Sequence, residues 1–324
     1  MAIQWFPGHM HKAQKEIKKV MSEIDVVIEV LDARIPFSSS NPMIQKLKGD
    51  KPCIKLLNKA DLADPAVIKL WQAYFETDAT IKTLALSANT SINKGAIGNL
   101  CRKLAPHRAN SDKPINAMIM GIPNVGKSTL INALAGRNIA KVGNEPAVTK
   151  RQQKINLDNG IVLSDTPGVL WPKLDPESCG YRLAATGAIK DTAMEYESVA
   201  CFTLDFLSSK YPEALCARFK LGELAKLKEF SNSLDLLSYI GSKRGCLRAG
   251  GIIDTHQAAT IVLNELRSGK IGPICLETPV MMQAEMAEFF AMIEAKRLAE
   301  EEKKQASGKR SDRSFQNERT DTDQ

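Results

Sequence analysis

The stretch INAMIMGIPNVGKSTLINALAG, residues 115–136, decides the fold that this sequence encodes. It opens with an apolar run of strand length and closes with apolar residues at helical spacing. Between them, GIPNVGKS (121–128) fits the pattern G-x-x-x-x-G-K-[ST], whose glycines let backbone N–H groups turn toward phosphate oxygens. The stretch therefore predicts a strand, a phosphate-binding loop and a helix.

Side chains of this loop predict how phosphates and their metal ion would be bound. Lys127 would neutralise the outer phosphates and serve catalysis, and the Ser128 hydroxyl would bind Mg2+. Asn124 could place its amide oxygen on K+ beside the phosphates, although an asparagine is equally typical of a tight turn. The other residues of this region expected to contact nucleotide are Val125, Gly126 and Thr129.

A second motif, NKAD at 58–61, lies ahead of the phosphate loop and follows the apolar run CIKLL. Asp61 can accept from the ring N–H and the exocyclic amine of guanine, Asn58 can bond the opposite edge, and the Lys59 stem can cover the ring. Adenine lacks that paired donor edge and would leave a carboxylate unpaired. The motif therefore favours guanine.

A third short strand ends in SAN at 87–89. Ser87 and Ala88 are expected beside the base, with the Ala88 backbone N–H donating to the base oxygen. An ordinary polar turn is the alternative interpretation.

DTPG at 165–168 supplies the predicted switch on the phosphate side. Asp165 would hold Mg2+ through water, and the Gly168 N–H would meet a γ-phosphate that leaves on hydrolysis. Thr149, in EPAVTKRQQ (145–153), is the candidate switch threonine for Mg2+. The residue after Gly168 is Val169, whose apolar side chain cannot orient the attacking water as a glutamine does in many GTPases.

The order of these motifs is NKxD, SA, GxxxxGKS, Thr and DxxG, which is that of the circularly permuted GTPases. In addition, WFPGHM (5–10) and DARIPFSSSNP (32–42) resemble the ribosome biogenesis GTPase A family, over roughly residues 1–290. The resemblance implies a GTPase that matures the large ribosomal subunit and is stimulated by the ribosomal particle. It implies GTP or GDP, the subunit precursor, rRNA and ribosomal proteins as partners. It also indicates His9 as a catalytic group, although a loop histidine with a solvent partner is the alternative.

Alternating strand and helix patterns predict an α/β fold. We expect a circularly permuted P-loop GTPase domain with a mostly parallel sheet, including the N-terminal helix, over residues 1–205. A smaller all-α domain that binds RNA or the ribosome is expected over 206–293, because helical periodicity dominates there. The charged segment 294–324 is expected to be a disordered tail.

Composition and charge suit such a protein without specifying it. The net charge of +7 favours polyanionic partners. The seven cysteines include no C-x-x-C pair, which indicates neither zinc nor disulfides and fits a reducing cytosol. No run reaches the roughly 18 apolar residues of a membrane span. We therefore expect a cytoplasmic monomer with no membrane partner.

Two basic groups are expected to contact rRNA phosphates, with solvated helix faces as the alternative. They are Lys12, Lys15, Lys18 and Lys19 near the N-terminus, and Lys243, Arg244, Arg248, Arg267 and Lys270 in the helical region. The sequence also leaves open a different class of protein, an RNA-binding assembly factor that keeps guanine nucleotide as a structural ligand without significant turnover.

Overall fold

The computed structural model describes residues 9–88, 93–109, 111, 113–140, 153–157 and 159–320. The chain divides into two compact units, residues 1–279 and 280–324. The first unit holds a six-stranded sheet and a group of helices, and the second consists mainly of one helix.

Strands and helices alternate in the first half of the first unit. The strands are β1 (Val26–Asp32), β2 (Cys53–Asn58), β3 (Ile81–Ala85), β4 (Ile115–Gly121), β5 (Gln153–Asn156) and β6 (Ile161–Asp165). The helices are α1 (His9–Val20), α2 (Pro42–Lys48), α3 (Pro65–Phe75), α4 (Lys94–Leu104), α5 (Pro106–Ala109) and α6 (Lys127–Ala135).

The sheet has the strand order β3-β2-β1-β4-β6-β5. All neighbouring pairs are parallel except β5 with β6, which is antiparallel. Because the carboxyl ends of parallel strands meet at one edge, Asp32, Asn58, Gly121 and Asp165 end their strands on the same side of the sheet. The strand of the base motif thus precedes the strand of the phosphate loop along the chain and lies two places from it. The predicted fold class is confirmed.

The central strands are buried along their whole length, as expected where helices cover both faces of a parallel sheet. Charged side chains nevertheless lie inside these strands. Glu29 of β1 is in register with Lys55 of β2, and the two side chains form an ion pair in which each is 1% exposed. The attraction between the two charges offsets the cost of removing each from water.

β5 was not predicted from the sequence. It is a four-residue edge strand in which only Ile155 is buried, so it lacks the apolar run that marks the other strands.

The helical region comprises α7 (Glu177–Ala185), α8 (Tyr196–Lys210), α9 (Pro212–Phe219), α10 (Ser233–Lys243) and α11 (Thr255–Arg267). The expected domain boundary after residue 205 falls inside α8, and the helices begin with α7. The helix α8 contacts α7, α9, α10 and α11, so its apolar residues point to several sides and form no single stripe in the sequence.

The helix α12 (Pro279–Thr320) runs through most of the segment that was expected to be disordered. The segment has few apolar residues, but Ala, Glu, Lys, Arg and Gln are among the residues with the highest helix propensity. Within the described ranges, no helix combines the length and apolar character needed to cross a bilayer.

Candidate nucleotide-binding site

The phosphate loop joins β4 to α6 and depends on glycine at two positions. A Cβ on Gly121 would lie 2.8 Å from the main-chain oxygen of Val30, and Gly126 has a φ of +89°. Asn124 also lies in the left-handed region, with φ 56°, which asparagine tolerates better than most residues. The loop ends at the start of α6, and the free backbone N–H groups of a first helical turn are suited to binding an anion.

Asn58 connects the three predicted nucleotide loops. Its side chain is 1% exposed. Its Nδ2 donates to the main-chain oxygen of Val125 at 2.7 Å, and its Oδ1 accepts from the Ala88 backbone N–H at 2.9 Å. We expected the Asn58 amide and the Ala88 backbone N–H each to bond the base. In the structure they are bonded to each other. In this structure Asn58 holds the loops together.

Lys59 is fixed by residues that the sequence did not single out as site residues. It has φ 61°, and its Nζ lies 2.9 Å from Asp32 Oδ2. Arg34 donates to both carboxylate oxygens of Asp32, from Nε at 2.9 Å and from the terminal nitrogen at 2.7 Å. Burial alone would raise the pKa of Asp32, but the adjacent guanidinium and ammonium groups hold it well below its usual value. Asp32 is therefore an ionised anchor for Lys59.

Asp61 follows on a short 3-10 helix, Ala60–Leu62, and its side chain is exposed. It lines an open cavity of about 680 Å3, within the size range of small-molecule sites. The cavity brings together the expected base and phosphate residues Asn58, Lys59, Asp61, Ser87, Ala88, Asn124, Gly126 and Thr129. Asp61 of the base motif and Gly126, which precedes Lys127, thus line the same cavity.

The helical region supplies the opposite wall of this cavity, through the turn after α7 and the end of α11. Asn124 Nδ2 donates to the main-chain oxygen of Gly187 at 2.9 Å. Arg267 donates to the oxygens of Ala184 and Ala185 at 2.9 and 3.1 Å. The phosphate loop is therefore bonded to the turn that follows the first helix of the helical region.

Arg267 corrects the expected set of rRNA contacts. Its side chain is 19% exposed and turned toward α7 and Asp191 rather than toward solvent. In the same set, Arg244 pairs with Glu265, and Arg248 pairs with Asp254. All the helical-region residues of that set except Arg267 are exposed, and of these Lys243 and Lys270 have no salt bridge among the described residues.

Lys127 and Asp165 form a buried ion pair next to the phosphate loop; they are 5% and 0% exposed. Asp165 Oδ2 has no hydrogen-bond partner among the described residues. Burial raises the pKa of Asp165, and the Lys127 ammonium offsets part of that rise. Ser128 is the second residue of α6, beside this pair. The buried Asp165 carboxylate, together with the hydroxyl that follows Lys127 in the chain, supplies the kind of oxygen ligands that Mg2+ prefers.

The DTPG turn packs directly on the phosphate loop. Gly168 is buried, and a Cβ there would lie 3.1 Å from Pro123 Cα. Val169 is 3% exposed, and its backbone N–H donates to the Gly121 oxygen at 3.1 Å. The side chain after Gly168 is thus a buried valine with no group that could polarise water.

Two expected site residues have no described side-chain position. His9 is the first residue of α1, but its side chain lies outside the described part of the structure. Thr149 lies outside the described residues altogether.

The family pattern described as "50S ribosome-binding GTPase" matches residues 116–227. The chain is 45% identical over 287 residues to Ribosome biogenesis GTPase A of Priestia megaterium, covering 86% of this chain and 98% of that protein. It is 46% identical over 289 residues to the protein of the same name from Bacillus licheniformis, covering 86% of this chain and 99% of that protein.

Two solved structures are similar over most of the chain. A GDP-bound structure of TM YlqF has a TM-score of 0.60 and 25% identity, with 82% of this chain and 99% of that chain covered. A GNP-bound structure of YlqF from T. maritima has a TM-score of 0.58 and 27% identity, with 83% and 98% covered.

Proposed function

Because the chain belongs to the ribosome biogenesis GTPase A family, and is a GTP-hydrolysing ribosome assembly factor, we propose that it acts on the large ribosomal subunit. Its partners would be GTP or GDP, the precursor of that subunit, its rRNA and its ribosomal proteins. The matched family pattern, described as 50S ribosome-binding, supports this subunit over the small one. We expect a cytoplasmic monomer.

The observation that carries the nucleotide assignment is the shared cavity. The exposed Asp61 and the phosphate-loop residues Asn124 and Gly126 line the same space, although they are far apart in the chain. A guanine base bonded to Asp61 and covered by the Lys59 stem would leave its phosphates at the start of α6. Because Asn58 ties these loops together, binding at one end of the nucleotide would support binding at the other.

Magnesium fits the residues at the phosphate end. Ser128 and Asp165, and in our proposal Thr149, would hold it together with phosphate oxygens. When bound, Mg2+ offsets the charge that develops between the outer phosphates. Lys127, which is paired with Asp165 in this structure, would then neutralise the β- and γ-phosphates.

The attacking water needs a partner that Val169 cannot provide, because that residue is apolar and buried. We assign this role to His9, at the start of α1, which would act as the general base or orient the water. A K+ ion held in part by Asn124 would add positive charge beside the phosphates.

Nucleotide state would be transmitted through the contact between Asn124 and Gly187. The turn that contains Gly187 lies between α7 and α8, the first two helices of the helical region, and α7 follows the DTPG segment in the chain. The exposed Lys243 and Lys270 of that region, with the lysines of α1, would contact rRNA phosphates. The GTP form would dock on the particle, and the GDP form would leave it.

Phosphate release by the purified protein, measured alone and with purified ribosomal particles, tests the proposal. We expect large-subunit precursors to accelerate turnover by tenfold or more, and small subunits to have no effect. Co-sedimentation should show tighter binding with a non-hydrolysable GTP analogue than with GDP. Equal binding of both forms, or equal stimulation by both subunits, would contradict it.

A further inference from the structure

Asn41 is a fully buried polar residue at the end of the loop that follows β1. We propose that Asn41 is a positioning residue for γ-phosphate sensing. It would hold the segment after Gly168 against the phosphate loop, so that the Gly168 N–H is in place when GTP binds. The proposal rests on GTP binding at this site and not on the ribosomal partner.

The contact that carries the proposal is to the residue after the DTPG glycine. Asn41 Nδ2 donates to the main-chain oxygen of Val169 at 2.9 Å. On its other side, the Val169 N–H donates to the oxygen of Gly121, the first glycine of the phosphate loop, at 3.1 Å. Both backbone polar groups of Val169 are therefore bonded. The Val169 N–H fixes the Gly168–Val169 peptide and the Val169 oxygen fixes the next peptide, so the two bonds together hold the chain on the C-terminal side of Gly168.

The orientation of the Asn41 amide is fixed by its other bonds. Its Oδ1 accepts from the Met43 N–H at 2.9 Å and caps the start of α2. Since Oδ1 is engaged there, Nδ2 must point the other way, toward Val169. The Asn41 N–H donates to Glu29 Oε1 at 2.9 Å, and Glu29 is held by the buried Lys55. The amide is thus built on the rigid centre of the sheet.

The position of Gly168 indicates which nucleotide state this bond favours. The space beside its Cα is so narrow that a Cβ would lie 3.1 Å from both Cα and N of Pro123 in the phosphate loop. The segment therefore already lies against the loop that would hold the terminal phosphates. An anchor that holds this arrangement favours the nucleotide with a γ-phosphate over the one without.

Asn41→Ser separates this bond from the capping function. Serine is as good an N-cap as asparagine, so α2 stays capped, but its side chain is too short to reach Val169. Asn41→Asp is the second variant: it keeps the shape and the cap but replaces the donor by an acceptor. Asn232→Ser, which makes the same change at the N-cap of α10, is the matched control.

Affinities of the full-length protein for GDP and for a non-hydrolysable GTP analogue are the measurement. We expect both Asn41 variants to weaken analogue binding by about fivefold to tenfold, with GDP binding within about twofold of the parent. The control should change neither. An unchanged or increased ratio of analogue to GDP affinity in a variant that keeps the parent's circular dichroism spectrum overturns the proposal. Because no ribosomal particle is present, failure of the ribosomal assignment would leave this result unaffected.

Discussion

The side-chain Nδ2 of Asn58 donates to the main-chain oxygen of Val125 at 2.7 Å, across 67 residues of chain. This bond joins the base motif to the phosphate loop. A Cβ on the next residue, Gly126, would lie 2.3 Å from the same nitrogen, so the two loops are in direct contact. The two ends of the nucleotide site therefore depend on one buried amide.

Asn58→Ala should weaken binding of GDP and GTP alike. The substitution leaves the Val125 oxygen and the Ala88 N–H without their partner, at a cost of about 1–3 kcal/mol each. We expect nucleotide affinity to fall by roughly 100-fold, because about 1.4 kcal/mol corresponds to a factor of ten. Asn99→Ala, on the exposed side of α4, is the control. Loss of affinity for only one of the two nucleotides would contradict a role shared by base and phosphate loops.

Asp61→Asn should change base preference without changing stability. The carboxylate would pair with the two donors of guanine, whereas an amide presents a donor that matches the second carbonyl of xanthine. We expect GTP affinity to fall by about 100-fold or more and XTP affinity to rise. Because Asp61 is exposed, the melting temperature should stay within about 2 °C. Asp50→Asn, another exposed aspartate, controls for the lost charge, and an unchanged base preference in Asp61→Asn would argue against the site.

The convergence at this sheet edge was predictable because each motif directly follows an apolar strand, and parallel strands end on one side. The pattern of residues 115–136 and the NKAD and DTPG segments therefore predicted where on the sheet the candidate nucleotide site would lie. The contacts of Asp32, Arg34 and Asn41 were not predictable. They depend on the path of the loop after β1, and DARIPFSSSNP identified that loop only by resemblance.

Other failures have the same origin in distant contacts. Arg267 is a basic residue at the end of a helix, a position that is usually solvated. Only the packing of α7 shows that it donates to the carbonyl oxygens of Ala184 and Ala185. Glu277 is fully buried and accepts from the backbone N–H groups of Phe37 and Ser38, 240 and 239 residues away. No local pattern indicates a bond of that range.

Asp32 should make stability depend on pH in the acid range. Its pKa in the folded protein lies below its ordinary value of 3.8, because Arg34 and Lys59 favour the carboxylate. The stabilisation is therefore complete above about pH 5 and is lost as the pH falls through 3.8 toward the lower folded-state pKa. We expect the free energy of unfolding to fall less steeply between pH 5 and 3 in Asp32→Asn than in the parent. The free energy of unfolding is measured by urea titration at each pH. If it falls with pH equally steeply in Asp32→Asn and in the parent, Asp32 is not a source of the pH dependence.

Glu277 should be important for stability rather than for nucleotide binding. Its buried carboxylate accepts from two backbone N–H groups and from the Ser38 hydroxyl, and it lies 3.8 Å from Arg182. Removing it leaves these buried donors without their acceptor and takes away the carboxylate next to the Arg182 guanidinium, so Glu277→Ala should cost about 3–5 kcal/mol. Chemical denaturation measures this. Glu288→Ala on α12 is the control, and a cost below about 1 kcal/mol would show that the donors find other partners.

Asn124 has two possible roles, and they call for different side-chain atoms. Its Nδ2 bonds the oxygen of Gly187, whereas K+ would need its oxygen. Asn124→Asp keeps an oxygen and tolerates the left-handed φ of 56°, but it loses the donor; Asn124→Ala loses both. If the oxygen binds K+, turnover in potassium should exceed that in sodium in the parent and in Asn124→Asp, and the difference should vanish in Asn124→Ala. If only the bond to Gly187 matters, both variants should lose activity equally in either salt, and the cation proposal would fail.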